Sequence, residues 1–130
     1  MRAYLDAVVV IYLVEQPPGF GQRASAAVAR LGPQEIITTD LLRMECSILP
    51  RRNGNASLEA DFNRFLSTGT TWAPLDTSAF DRALELRAKY SFLKTPDSLH
   101  LAVAINQRCD VFVTNEPKLA RVTELRVELI

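Results

Sequence analysis

Short apolar, β-branched runs alternate along this chain with longer stretches in which apolar residues recur every three or four positions. That alternation predicts strands interleaved with helices. Ala3 to Leu5 reads as a short strand that reaches an acid at Asp6. Val8 to Ile11 are β-branched and favour strand locally, yet Ile11, Val14 and Glu15 also fit a helical turn, so the pattern leaves both open there. "QPPGFGQ" breaks the chain, and residues 25–31 have helical spacing ended by Gly32-Pro33. "EIITT" reads as a buried strand. After it, Thr39 or Asp40 caps a helix "LLRMECSILP" that Pro50 is expected to close.

The second half repeats the scheme. "RRNGNAS" is a polar loop, and residues 57–67 set Leu58, Phe62, Phe65 and Leu66 on one helical face. "TTWAPLD" is a short strand or extended connection, and "TSAFDRALELRAKY" an amphipathic helix capped by Asp76 or Thr77. In "KTPDSLHLAVAI", Thr95 suits an N-cap and Pro96 the first helical position, with apolar residues running on to Ile105. Val111 to Val113 form a buried strand, a further helix starts at Pro117, and "LRVELI" alternates as a terminal strand. No hairpin signal joins neighbouring strands, so the expectation is an α/β fold, a three-layer α/β/α sandwich with a central parallel sheet.

Composition narrows the function classes. A length of 130 residues at 48% hydrophobic fits one compact domain spanning residues 1–130. The longest apolar run, Val8 to Val14, falls far short of the roughly 20 residues of a membrane span, and no secretory signal pattern leads the chain. A cytoplasmic protein is expected. Fifteen basic and 15 acidic residues give zero formal charge, so strong non-specific nucleic-acid binding is not indicated and any such contact must be local. Candidate patches are Arg51 with Arg52, and Arg87, Lys89 and Lys94. Cys46 and Cys109 lie in apolar segments as expected of buried free thiols, and with one histidine the chain lacks zinc-ligand spacing.

Four acids then stand out. In open parallel sheets ligands bind beyond the carboxyl ends of the strands, and Asp6 ends the first strand while Glu116 follows the "VFV" strand. Asp97 occupies a first helical turn, where the helix dipole favours negative charge by about 0.3–1 kcal/mol. Glu45 has Leu41, Leu42, Ile48 and Leu49 as its helical neighbours, so it reads as an acid on a core-facing stripe, in need of a partner. Salt bridges to arginine are one solution. Convergence of the acids on a hard divalent cation is the other, because carboxylates brought together repel unless a cation relieves them.

"YLDAVVVIYLVE", "LLRMECSIL", "LKTPDSLHLAVAI" and "VFVTNEPKL", in that order and spacing, resemble the four acidic motifs of the PIN-domain family, and more narrowly the VapC-type toxins of bacterial toxin–antitoxin pairs. The resemblance covers nearly the whole chain. It implies a parallel α/β/α sandwich, a homodimer, and Mg²⁺- or Mn²⁺-dependent endoribonuclease activity restrained by a cognate antitoxin. By the same resemblance Asp6, Glu45, Asp97 and Glu116 are the catalytic metal ligands, with Thr114 and Asn115 supporting them. Glu116 stands where the family commonly has aspartate, and Val8 where it often has a small polar residue. Arg51, Arg52, Lys94 and Lys118 are candidates to contact RNA phosphates, and His100 is expected to pack or to make a surface hydrogen bond. The alternative from another class is a PIN-like module of weak or absent catalysis that binds an antitoxin or RNA.

Overall fold

The computed structural model describes residues 1–130 throughout. Five parallel strands, β1 (Arg2–Leu5), β2 (Glu35–Thr38), β3 (Thr71–Trp72), β4 (Val111–Thr114) and β5 (Arg126–Leu129), form one sheet in the order β3-β2-β1-β4-β5. Six helices connect and cover it: α1 (Ala7–Glu15), α2 (Phe20–Leu31), α3 (Asp40–Arg52), α4 (Ala56–Gly69), α5 (Thr77–Lys89) and α6 (Thr95–Asn106). A 3₁₀ turn, Pro117–Arg121, leads into β5. The expected three-layer α/β/α sandwich is what forms.

The central strands explain the core. β1 buries Ala3, Tyr4 and Leu5, and β4 is buried along its whole length, as befits parallel strands covered on both faces. Tyr4 stacks on Phe112 with ring centroids 5.5 Å apart. The chain order reverses at β1, which pairs with β2 on one side and β4 on the other, so a topological switch point opens at the carboxyl edge between β1 and β4. The Asp6 N–H closes that edge by donating to the Val113 carbonyl at 2.9 Å.

The structure decides one question the local pattern left open and departs from that pattern at three other places. The β-branched run after Asp6 is helix, because Asp6 caps it through the Ala7 N–H at 2.9 Å and packing of Val9 and Val10 overrides their strand propensity. The second helix begins at Phe20, five residues ahead of the expected start, and its Gly21 sits so close to Gln16 that a Cβ would lie 2.6 Å from the Gln16 Cα. Pro50 does not close α3; the helix runs on to Arg52 with the proline ring buried, since a proline near a helix end forfeits only the bond its own nitrogen would make. Thr95 does not cap α6 either. Lys94 holds the cap position without a side-chain bond, and the Thr95 hydroxyl instead accepts from Arg87 Nη1 at 2.9 Å.

Candidate metal centre

Asp6 is fixed by backbone and strand together. Its Oδ1 accepts from the Ala7 N–H at 2.9 Å and its Oδ2 from the Thr114 hydroxyl at 2.7 Å, so β1 and β4 jointly orient the carboxylate. Thr114 Oγ1 accepts in turn from the Glu116 N–H at 3.1 Å. Thr114 therefore acts on an acid directly.

Glu45 is held from an unexpected direction. The stripe of α3 that faces the core is Leu42, Cys46 and Pro50, whereas Met44, Ile48 and Leu49 are exposed, so Glu45 stands at the margin of the buried face and not at its centre. Its Oε1 is hydrogen-bonded to Nε2 of His100, and His100 is 1% exposed. On the far side of the ring, Nδ1 meets the Tyr4 hydroxyl at 2.5 Å, and that hydroxyl lies 3.3 Å from Thr39 Oγ1, the N-cap of α3. A ring hydrogen on Nε2 satisfies the whole chain: Thr39 donates to Tyr4, Tyr4 to Nδ1, and Nε2–H to Glu45. Burial lifts the Tyr4 pKa well above that of free tyrosine, which keeps the hydroxyl protonated and able to donate. His100 was expected to pack or to make a surface hydrogen bond, and its bonds are buried ones instead. The signal that could have found its role is its place one turn beyond Asp97 on a helix buried on all sides.

Asp97 is the reverse case. It is half-buried in the first turn of α6, its carboxylate accepts no hydrogen bond, and it has no ion-pair partner. Burial first, then the charge of Asp6, pushes its pKa up; Glu45 adds to this, while Lys118 and a charged His100 pull the other way. Three acids distant in sequence thus bear on one another electrostatically. The arginine alternative fails, since Asp6 and Asp97 pair with no cation and Glu45 pairs only with His100.

Glu116 stands apart. It is exposed just beyond β4, with no side-chain bond. Asn115 is exposed too, and donates to the Tyr12 hydroxyl at 3.4 Å rather than to an acid. Of the basic residues, Lys118 acts on Asp97, Lys94 is exposed at the start of α6, and Arg52 is exposed without an ion pair. Arg51 is engaged by a two-pronged pair with Glu59, both contacts at 2.9 Å. Arg87 ties down the α5–α6 connection through the Leu93 carbonyl at 3.1 Å, and Lys89 pairs with Glu124 at 3.3 Å, so neither belongs to a free patch.

No three of the histidine, cysteine and acid side chains close into a ready cage for an ion. The donor chemistry nevertheless fits a hard divalent cation, which can be held by one or two carboxylates completed by water. Asp97, repelled by two acids and bonded to nothing, is an electrostatic demand that such a cation meets.

Comparison with known proteins bears on the fold. No curated protein matches the chain in sequence. Among solved structures, VapBC2 from Rickettsia felis bound to a promoter DNA fragment aligns with TM-score 0.78 at 17% identity, covering 99% of this chain and 98% of that one. A toxin–antitoxin complex from Klebsiella pneumoniae aligns with TM-score 0.75 at 22% identity, over 95% of this chain and 98% of that one. Mycobacterium tuberculosis VapC20, described as a sarcin–ricin loop cleaving toxin, aligns with TM-score 0.72 at 16% identity, again over 95% and 98%. These likenesses establish a shared fold. The model of the PIN domain matches residues 3–125, and the chain belongs to the PIN-domain family.

Proposed function

We propose that this protein is a VapC-type toxin, a divalent-metal-dependent endoribonuclease that hydrolyses RNA phosphodiester bonds. The observation that carries the reading is the set of Asp6, Glu45 and Asp97, in which the Asp97 carboxyl is pushed up by burial first and then by the charges of Asp6 and Glu45, and is paired with no basic side chain. Asp6, Glu45 and Asp97 would hold Mg²⁺ or Mn²⁺, with Glu116 joining at the outer edge. Such an ion supplies activation of water and charge neutralisation at the phosphate. The protein's own part is orientation. Thr114 and the Ala7 N–H aim Asp6, His100 aims Glu45, and Lys118, Lys94 and Arg52 offer positive charge to flanking phosphates where net charge offers none. Arg51, occupied by Glu59, contributes least.

Two partners go with this reading. A cognate antitoxin is supported by the fold neighbours, two of which are toxin–antitoxin complexes or pairs. It is also supported by α3, whose exposed Met44 and Ile48 line a cavity of about 590 Å³ rimmed by Arg43, Arg51 and Arg52, suited to an apolar and acidic segment. Exposed Phe80 and Leu84 on α5 support a homodimer. No helix is long and apolar enough to cross a membrane, which is consistent with a cytoplasmic site of action.

The test is incubation with structured RNAs in Mg²⁺ or Mn²⁺, with EDTA and Asp97→Asn as controls; cleavage that survives both controls rejects the assigned site. One observation favours the second reading, a binding module of little activity: the acids form no closed cage and Glu116 lies aside. Metal titration separates the two. A site of micromolar affinity at millimolar metal stabilises the fold by about 4 kcal/mol, and an inert module gains almost nothing.

A further inference from the structure

A cavity opens between α1, α2 and the end of β4. Tyr12 of α1, Phe20 and Arg23 of α2, Asn115 after β4, and Ile130 line a cavity of about 220 Å³. Its walls are joined to the acid cluster through Thr114, whose hydroxyl donates to Asp6 while its carbonyl accepts from the Ile130 N–H at 3.0 Å. Tyr12 belongs to the helix that Asp6 caps, six residues further on, which is about 9 Å along the helix axis. Asn115 on the cavity rim directly follows Thr114, so the cavity borders the residue that orients Asp6.

Its chemistry is uncommon for a surface pocket. The Tyr12 and Phe20 rings stand 5.2 Å apart, tilted by 37°, and the Arg23 guanidinium lies 6.0 Å from the centre of the Phe20 ring. Phe20 is 49% exposed, an aromatic face offered to solvent rather than to the core. Asn115 brings an amide to the same rim, bonded through Nδ2 to the Tyr12 hydroxyl and keeping its carbonyl oxygen free to accept. Aromatic faces, a guanidinium plane and an amide edge are what an unpaired nucleobase requires: faces to stack on, and a hydrogen-bonding group for its Watson–Crick edge. A base-paired stem cannot insert a base there.

We infer that this cavity, walled by Tyr12, Phe20, Arg23 and Asn115, is a nucleobase subsite that receives one unpaired base of the RNA. The inference rests on the ribonuclease reading and deepens it by naming the residues that would hold a base of the substrate. Gly21, next to Phe20 and pressed against Gln16, fixes the entry of α2, so the Phe20 ring is presented from a rigid turn.

The test measures binding of fluorescent single-stranded RNA homopolymers in EDTA, where no metal-dependent cleavage occurs. Phe20→Ala, at an exposed position, should weaken binding by about 5- to 150-fold, the worth of one base–aromatic stack, while Phe20→Trp retains it. An abasic oligomer of the same length should bind wild type and Phe20→Ala alike, and a blunt duplex should show no dependence on Phe20. Unchanged affinity of Phe20→Ala for unpaired RNA, in a variant with wild-type melting, overturns the subsite. So does an equal loss on abasic RNA, which would mark a backbone contact. A protein whose RNA binding depends on Phe20 but that never cleaves with metal removes the nuclease reading alone. One that cleaves with metal yet ignores Phe20 removes the subsite alone.

Discussion

Glu45 and Asp97 act on one another electrostatically from two helices built on different plans. α3 is amphipathic, burying Leu42, Cys46 and Pro50 and exposing Met44, Ile48 and Leu49, and it presents Glu45 from the seam between those faces. α6 is buried from Ser98 through Ala104, and Asp97 sits in its first turn, ahead of that buried run. The seam acid is gripped by His100, itself gripped by Tyr4. The first-turn acid is gripped by nothing. An acid whose lone pairs are already engaged is oriented in advance, whereas an acid left open and repelled is where an incoming cation gains most.

Removing the open acid should have the largest effect. Asp97→Asn is expected to lower metal-dependent RNA cleavage by about 10²-fold or more and to abolish stabilisation by Mn²⁺, measured by melting in a metal titration. Next comes the grip on the other acid. His100→Phe leaves the Tyr4 hydroxyl and Glu45 without their partner, so we expect a 10- to 100-fold loss of metal affinity together with about 1–3 kcal/mol of stability, read from isothermal titration and urea unfolding. Tyr4→Phe keeps the histidine but strips its anchor. A smaller loss of about 0.5–1.5 kcal/mol is expected, with Glu45 still bonded.

A pH experiment sharpens the contrast without metal. The Asp97 carboxyl has its folded-state pKa raised above the unfolded value near 3.8, so the folded form holds its proton more tightly. Stability is therefore highest below that value and is lost as pH rises through the folded pKa, the opposite of an ion-paired acid. In EDTA, Asp97→Asn should melt up to a few degrees higher than wild type at neutral pH and no higher at strongly acidic pH; equal melting at both would show that the acids do not repel. The smallest effect belongs to Glu59→Gln. That pair joins a half-buried acid to an exposed Arg51 whose side chain stays largely in solvent, and its loss should lower melting slightly at most and leave metal affinity unchanged.

Much of this was legible along the chain, for reasons that also mark where legibility stopped. The sheet was readable because β1, β2 and β4 are short apolar runs bounded by polar breaks, and because parallel strands leave no hairpin turns. Asp6 and Asp97 were readable as acids at element ends. The helix after Asp6 was not decidable, since nothing local to Val8, Val9 and Val10 outweighs their β-branching; the deciding contacts are tertiary. Glu45 was singled out for a reason that proved mistaken, because periodicity cannot tell an apolar face that packs from one left exposed. The Tyr4–His100–Glu45 chain was beyond reach. Its members lie 96 and 55 positions apart, and only the sheet brings them together.

The two cysteines carry a practical consequence. Cys46 and Cys109 are both enclosed, and burial pushes both thiols up to about 12. At neutral pH neither offers a thiolate to an alkylating reagent while the native packing holds. Maleimide uptake by the unmodified chain is thus a built-in clock for opening: Cys46 reports on the helix that carries Glu45, and Cys109 on the bend leading into β4.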